Sequence, residues 1–318
     1  MDSMTKNVLI RDEIPTHAGE AIGSNDDFFI AAPPEIGALI SAHSTLDENE
    51  EPMSGVKRLI ITLVVIAVGL GIAYGIVSFF NVRKGGTWFY VWMIGIPFIT
   101  GFISWAGTSF DGIVTYVGEK GRTRVTLTKS RENPPEVETL VFEDADALKT
   151  EITNHYKNGS YKNTTYNYHW EDTAGKVLFT IEGDYEGEHS GPEDRSDTYY
   201  FAQAAKEAWN IHKLGALLGL IEAGQVIDFA TPSVTLSIGD NQLYISSSSG
   251  KLDWSLDDIE TISISKGYLS LVSTKFHESN FFAKWLGNGK LTLPYSEIPN
   301  GELLLLLIEH FTHKTIQH

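Results

Sequence analysis

Lys120, Arg122 and Arg124 alternate along one short segment. Alternate residues of a strand share a face, so these cations could touch anionic lipid headgroups, while an ordinary solvated strand face carries the same pattern. Downstream, Tyr161, Tyr166, Tyr168 and Trp170 form an aromatic ladder. Residues 166, 168 and 170 fall on one strand face and are candidates for a groove that takes a partner peptide or small ligand; aromatic residues are also simply good strand formers. Glu182, Asp184, Glu186 and Glu188 offer oxygen ligands for calcium, but the spacing D-x-[DN]-x-[DN]-G is not met and a solvated acidic loop is expected. His310 and His313 lie one helical turn apart without the further ligands a metal needs.

Catalytic signatures are missing. The chain has no H-E-x-x-H and no G-x-S-x-G, and each of Gly175-Lys176, Gly250-Lys251 and Gly289-Lys290 is followed by an aliphatic residue where a phosphate loop needs a hydroxyl. With no cysteine, a thiolate nucleophile is ruled out and a reducing compartment is compatible. No catalytic, cofactor-binding or metal-binding residue is expected, and the chain reads as a non-enzyme. The rival is an unrecognised site around the acidic loop with His155, His169 and His189. The N-x-[ST] matches at Asn158 and Asn163 read as chance occurrences in a polar turn.

Two apolar runs, 59–80 and 88–107, contain no charged residue and are separated by a short polar loop. At about 1.5 Å rise per residue, each is long enough to cross a hydrocarbon core of roughly 30 Å. Trp88, Phe89, Tyr90 and Trp92 open the second run and Trp105 lies near its end, positions that suit the headgroup zone. A loop this short allows only a hairpin, so both termini lie on one side. Lys57, Arg58, Lys120, Arg122 and Arg124 flank the hairpin against Arg83 and Lys84 in its loop, which favours cytoplasmic termini. The first run lies too far along the chain for a cleaved signal. Gly71 and Gly75 form a G-x-x-x-G pair that either packs the two helices together or supports a homodimer. Pro97 is expected to kink the second helix.

Residues 1–56 carry eleven acidic residues against Lys6 and Arg11, and the region from Thr108 carries thirty acidic against eighteen basic. The net charge of -17 argues against nucleic acid and against broad adhesion to anionic lipid. The tail, rich in Pro, Gly, Ser and acids, is expected to be largely disordered, except for a helical turn or two within 28–40.

Beyond the hairpin the pattern has period two. Strands are expected at 112–117, 122–128, 139–142, 148–156, 165–170 and 176–181, followed by a helix over 198–223 that Gly224 stops. A second series, 234–238, 243–245, 252–256, 262–264, 269–271 and 291–293, ends in a helix after Ile298-Pro299-Asn300-Gly301. In 280–286 apolar residues fall on both strand faces, which suits a strand covered on both sides or a loop that meets membrane or partner.

This order of strands, helix, strands, helix resembles the pleckstrin-homology-like (PH-like) fold in tandem. More narrowly, the chain resembles an uncharacterised family of two-span membrane proteins known only as a domain of unknown function. The residues that carry the likeness are 155–161, 164–168, Phe201-Ala202-Gln203-Ala204, 222–229, the strand centred on Trp254, and Ile298-Pro299-Asn300. The resemblance implies an α+β protein with a transmembrane helical hairpin at 57–107, a first PH-like module at 108–224 and a second at 225–318. It implies a membrane-anchored binding or scaffold protein whose modules meet a protein or peptide partner at the cytoplasmic face. The alternative is an anionic-lipid-binding module using Lys120, Arg122 and Arg124.

Overall fold

A computed structural model describes residues 14–48, 50, 52–108, 111–128, 134–187, 191–248, 250–274 and 289–316. The protein is α+β, and its described residues form four antiparallel sheets and two helices long and apolar enough to cross a membrane. Its first sheet joins β1 (Leu39–Ser44), β2 (Gly112–Gly118), β3 (Gly121–Leu127) and β4 (Glu136–Val141) in that order. The apolar helices α1 (Gly55–Phe79) and α2 (Thr87–Gly107) are inserted between β1 and β2. Strand β1 nevertheless pairs with β2, with Ala42 opposite Tyr116 and Ser44 opposite Val114.

This pairing corrects the expectation for the tail. Residues 14–48, expected to be largely disordered, supply a strand and a small core of their own, and the helical turn at 28–40 is a single 3-10 turn, Pro34–Ile36, that leads into β1. Ile22, Phe28 and Ile36 pack on Ala42, Val114 and Tyr116, covering one face of the first sheet. The Tyr116 hydroxyl donates to the Ile30 carbonyl, and the Ser44 hydroxyl donates to the Asp27 carbonyl at 2.7 Å. The first sheet thus begins before the two apolar helices, with a strand from the segment expected to be a disordered tail.

Strands β5 (Ala147–Lys157), β6 (Ser160–Glu171) and β7 (Val177–Tyr185) form a second sheet, and α3 (Thr198–Glu222) follows. The pattern then repeats. Strands β8 (Ile227–Ala230), β9 (Val234–Gly239), β10 (Gln242–Ser247) and β11 (Gly250–Ser255) make a sheet of four, and β12 (Ile259–Ser265), β13 (Tyr268–Ser273) and β14 (Lys290–Pro294) a sheet of three. Helix α4 (Gly301–Thr312) closes the series, burying Leu303, Leu304, Leu307 and Ile308 as its apolar spacing predicts. Strand β8 was not expected; the 280–286 segment lies outside the described residues.

One apolar core runs through both series. It extends from Val117 and Leu140 through Trp170, Phe201 and Trp209 to Leu236, Leu271 and Leu304. Helix α3 contacts β2, β3, β7, β8 and α4, so it is the element both series share.

Helices α1 and α2 pack against each other but turn most of their apolar side chains outward. The close approach is made by Gly69 and Gly101: a Cβ on Gly69 would come within 2.5 Å of the Thr100 hydroxyl, and one on Gly101 within 2.7 Å of Ile66. Gly71 and Gly75 have nothing within 4 Å of where a Cβ would stand. Helix α2 continues through Pro97 to Gly107. At the open end Arg58 Nη2 donates to the Trp105 carbonyl at 2.9 Å and the guanidinium lies 4.5 Å from the centre of the Trp105 ring.

Candidate functional site

The structure does not assemble the expected cationic face. Lys120 is exposed in the turn between β2 and β3, at the end of the sheet away from the helices. Arg122 and Arg124 do share a strand face, but that face points inward. Arg122 is 0% exposed, with its guanidinium carbon 3.1 Å from the centre of the Trp170 ring and 3.9 Å from that of Phe179. Its three guanidinium nitrogens are buried without a hydrogen-bond partner, and burial, with Arg124 nearby, holds its pKa well below the ordinary value. Arg124 is half-buried and pairs with Glu138 at 2.7 Å. Headgroup contact through all three is therefore excluded by Arg122, and the physical reason is that strand parity sorts residues onto faces without saying which face is covered.

The aromatic ladder is corrected in the same way. Tyr166, Tyr168 and Trp170 share a face, as expected, but all three are buried core residues, and of them only Tyr166 borders a concavity. Tyr166 meets Tyr168, Tyr185 and Tyr199 edge-on or tilted, with ring centres 5.4 to 6.2 Å apart. The Tyr166 hydroxyl donates to Asp197, and burial followed by Asp197 raises its pKa. Only Tyr161 reaches the rim, where its hydroxyl accepts from the Gly187 amide at 2.9 Å.

Two concavities stand out among the described residues. The broader, about 520 Å³, lies on the β5–β7 sheet and is lined by Glu151, Thr165, Asn167, Glu182 and Asp184, with Tyr166 and Gly183 between them. Glu151, Asn167 and Glu182 stand side by side across the three strands, and Thr165 opposes Asp184. His155 bonds the Thr165 hydroxyl at 2.9 Å and His169 lies 3.2 Å from Glu171, so these histidines belong to the sheet surface; His189 and Glu188 lie outside the described residues. Among the described residues no group of three or more His, Asp or Glu is placed to hold a metal.

The smaller cavity, about 90 Å³, lies between the ends of β1 and β2, the middle of β3 and the start of α3. His43 stands opposite Thr115 in the β1–β2 ladder. His17 is brought in by the segment before β1: the Pro15 carbonyl accepts from the Ala42 amide, and the His17 ring bonds the hydroxyls of Ser41 at 2.8 Å and Thr115 at 2.9 Å. The two imidazoles are 6.4 Å apart. Arg124, Arg195 and residues 196–198 complete the wall. Asp197 caps α3, accepting from the Tyr199 amide at 2.7 Å. Neither histidine was recognised in the sequence, because 39–44 has no clear alternation of its own and becomes legible only beside β2.

Burial, followed by His43, lowers the His17 pKa from 6.5 to about 3. A histidine buried neutral opposes protonation in the folded state alone, so its contribution is whole above about pH 6.5 and is lost as pH falls toward 3. His43 is lowered too, by burial, against the opposing pull of Asp26 and Asp194. Urea unfolding of the full chain between pH 7 and 5 should therefore show stability declining with a slope approaching about 1.4 kcal/mol per pH unit for each proton taken up. His17→Gln should flatten that slope, leaving the part that belongs to His43; an unchanged slope would remove His17 from the account.

Neither a protein-family model nor a curated protein of similar sequence matches this chain.

Proposed function

We propose that this chain is a non-enzymatic, membrane-anchored binding protein of the two-span kind it resembles, with tandem PH-like modules that meet a protein or peptide partner at the cytoplasmic face. The observation that carries the reading is the insertion of α1 and α2 between two strands that pair with each other. A hairpin crossing the bilayer leaves and returns on one side, as that pairing demands, and the outward-facing apolar side chains of both helices suit lipid better than water. Two further features agree. Each series has sheets of four and three strands followed by a helix, the strand count and order of a PH-like module. The basic residues Lys57 and Arg58 sit where α1 begins, and Arg58 is tied to the end of α2. A homodimer through Gly71 and Gly75 fits the open space beside both glycines, since the hairpin itself closes on Gly69 and Gly101.

Reporters fused after His318 test the reading in cells. A fluorescent protein should be bright, a periplasmic-type phosphatase silent, and the chain should stay in membranes washed with alkaline carbonate. Active phosphatase would move the modules to the other side, and release by carbonate would end the transmembrane reading altogether.

A further inference from the structure

We propose that the cavity between β1, β2, β3 and the start of α3 is a binding site for a phosphate-type oxyanion. Its volume of about 90 Å³ has room for a tetrahedral anion. His43 Nε2 is buried at this site and has no hydrogen-bond partner. A buried polar nitrogen left so is costly, and an anion oxygen would satisfy it.

The charge around the cavity adds to the argument. Arg195 lines it with a side chain 55% exposed, and its nearest carboxylate, Glu20, lies at 3.9 Å, the outer limit of an ion pair. That guanidinium donates to the Tyr200 hydroxyl at 2.8 Å, an exposed bond that an anion in the cavity would replace with a charge-assisted one. Arg124, paired with Glu138 at 2.7 Å, lines the opposite wall. Helix α3, 25 residues long, points its N-terminus into the same space. Besides Glu138 and Glu20, which stand against the two arginines, three carboxylates oppose an anion. Asp197 is engaged by the Tyr199 amide and the Tyr166 hydroxyl, and Asp194 by the Ser196 amide and hydroxyl. Asp26 accepts from the Gly23 amide. His17 takes no part in ligation, since both its ring nitrogens are already bonded.

The position of the cavity narrows the source of the anion. Thr45 and Ile113, which line it, are bonded to each other where the chain leaves for α1 and returns from α2: the Thr45 amide donates to the Ile113 carbonyl, and the Ile113 amide to the Thr45 hydroxyl, both at 2.9 Å. Ile113 is five residues beyond Thr108, the cap of α2, hence within about 18 Å of it even at full extension. If the anion is a lipid phosphate monoester, this closeness to the bilayer is what presents it, and that part rests on the membrane reading above. A soluble phosphate needs only the cavity.

Thermal unfolding and calorimetry on the full chain distinguish the cases. Inorganic phosphate is titrated into protein in neutral detergent, with chloride at equal ionic strength as the control. In parallel, the protein is placed in phosphatidylcholine nanodiscs with and without phosphatidic acid. Stabilisation by inorganic phosphate identifies a soluble ligand, and stabilisation by phosphatidic acid alone identifies the headgroup. In either case Arg195→Gln, an exposed change that leaves the fold intact, and His43→Gln should each weaken binding about tenfold. Binding undiminished in both variants, or no response to phosphate or phosphatidic acid, overturns the proposal. Phosphate binding in detergent by a chain that carbonate strips from membranes would keep the site and discard the anchor.

Discussion

A fragment beginning at residue 111 should fail to fold as a soluble protein, although it contains every strand and helix that follows the apolar pair. Without residues 14–48, β2 becomes an edge strand and Val114 and Tyr116 lose their cover. Ile22, Phe28, Ile36 and Leu46 are each buried, and each such side chain is worth roughly 1.5–3 kcal/mol. Their sum is comparable to the whole stability of an ordinary domain, about 5–15 kcal/mol. The complementary chain keeps residues 14–50 and replaces 52–110 with a flexible glycine- and serine-rich linker. It restores β1 to β2 and should be soluble, monodisperse by size exclusion, and protected from hydrogen exchange at residues 112–118. A fragment from residue 111 with the same exchange protection would show that the N-terminal segment is an ornament and not part of the fold.

Asn300 should be the most sensitive single residue outside the hairpin. It adopts a left-handed conformation, φ 55°, at the entrance to α4. Its amide donates to the Leu148 carbonyl at 2.8 Å, and its Oδ1 accepts from the Leu148 amide at 2.9 Å and from Trp209 Nε1 at 3.1 Å. Its Nδ2 donates to the Asp146 carbonyl at 2.9 Å. One side chain thus joins the second series, the start of β5 and α3. Asn300→Leu leaves the buried Trp209 N–H and the Leu148 amide unpaired and forces a branched residue into the left-handed region, at a cost of roughly 3–5 kcal/mol. Asn300→Gly relieves the backbone and still loses the bonds, so it should fall between Leu and wild type. In the soluble, hairpin-free chain, wild type should melt in one transition because its core is continuous, and the variants should split it in two. A single transition with unchanged midpoint for Asn300→Leu would show that the joint is held by apolar contact alone. Neighbouring contacts set the scale for that outcome: Lys206 pairs with Glu302 at 2.7 Å, and Lys213 donates to the Ala145 carbonyl at 2.8 Å.

The sequence pattern located β2 to β7 and most of the second series to within a few residues, most clearly where one face is covered and the other wetter, as in β6, and less so in β2, which is covered on both faces. It could not locate β1. In Leu39-Ile40-Ser41-Ala42-His43-Ser44 both faces are covered in part, one by Ile36 and its neighbours and the other by His17 and α3, so the alternation is blurred. Parity also placed Arg122 with Arg124 and Tyr166 with Tyr168 and Trp170 correctly. What it lacked was the sign of the face, which is decided by a sheet and a helix distant in sequence. The motif Ile298-Pro299-Asn300 was legible as the start of a helix; its bonds to residues 146–148 and to Trp209 belong to tertiary structure and leave no local pattern.

The strand pairing across the inserted helices also orders events during synthesis. Threaded through a bilayer, the first strand emerges early and has nothing to pair with until both helices have been made, inserted and turned back. A chain whose second helix stalls would deliver β2 to the wrong side, and the first sheet would never close. On the proposed membrane reading, completion of the first sheet therefore depends on correct insertion, and misthreaded copies would carry bare apolar strands prone to aggregation.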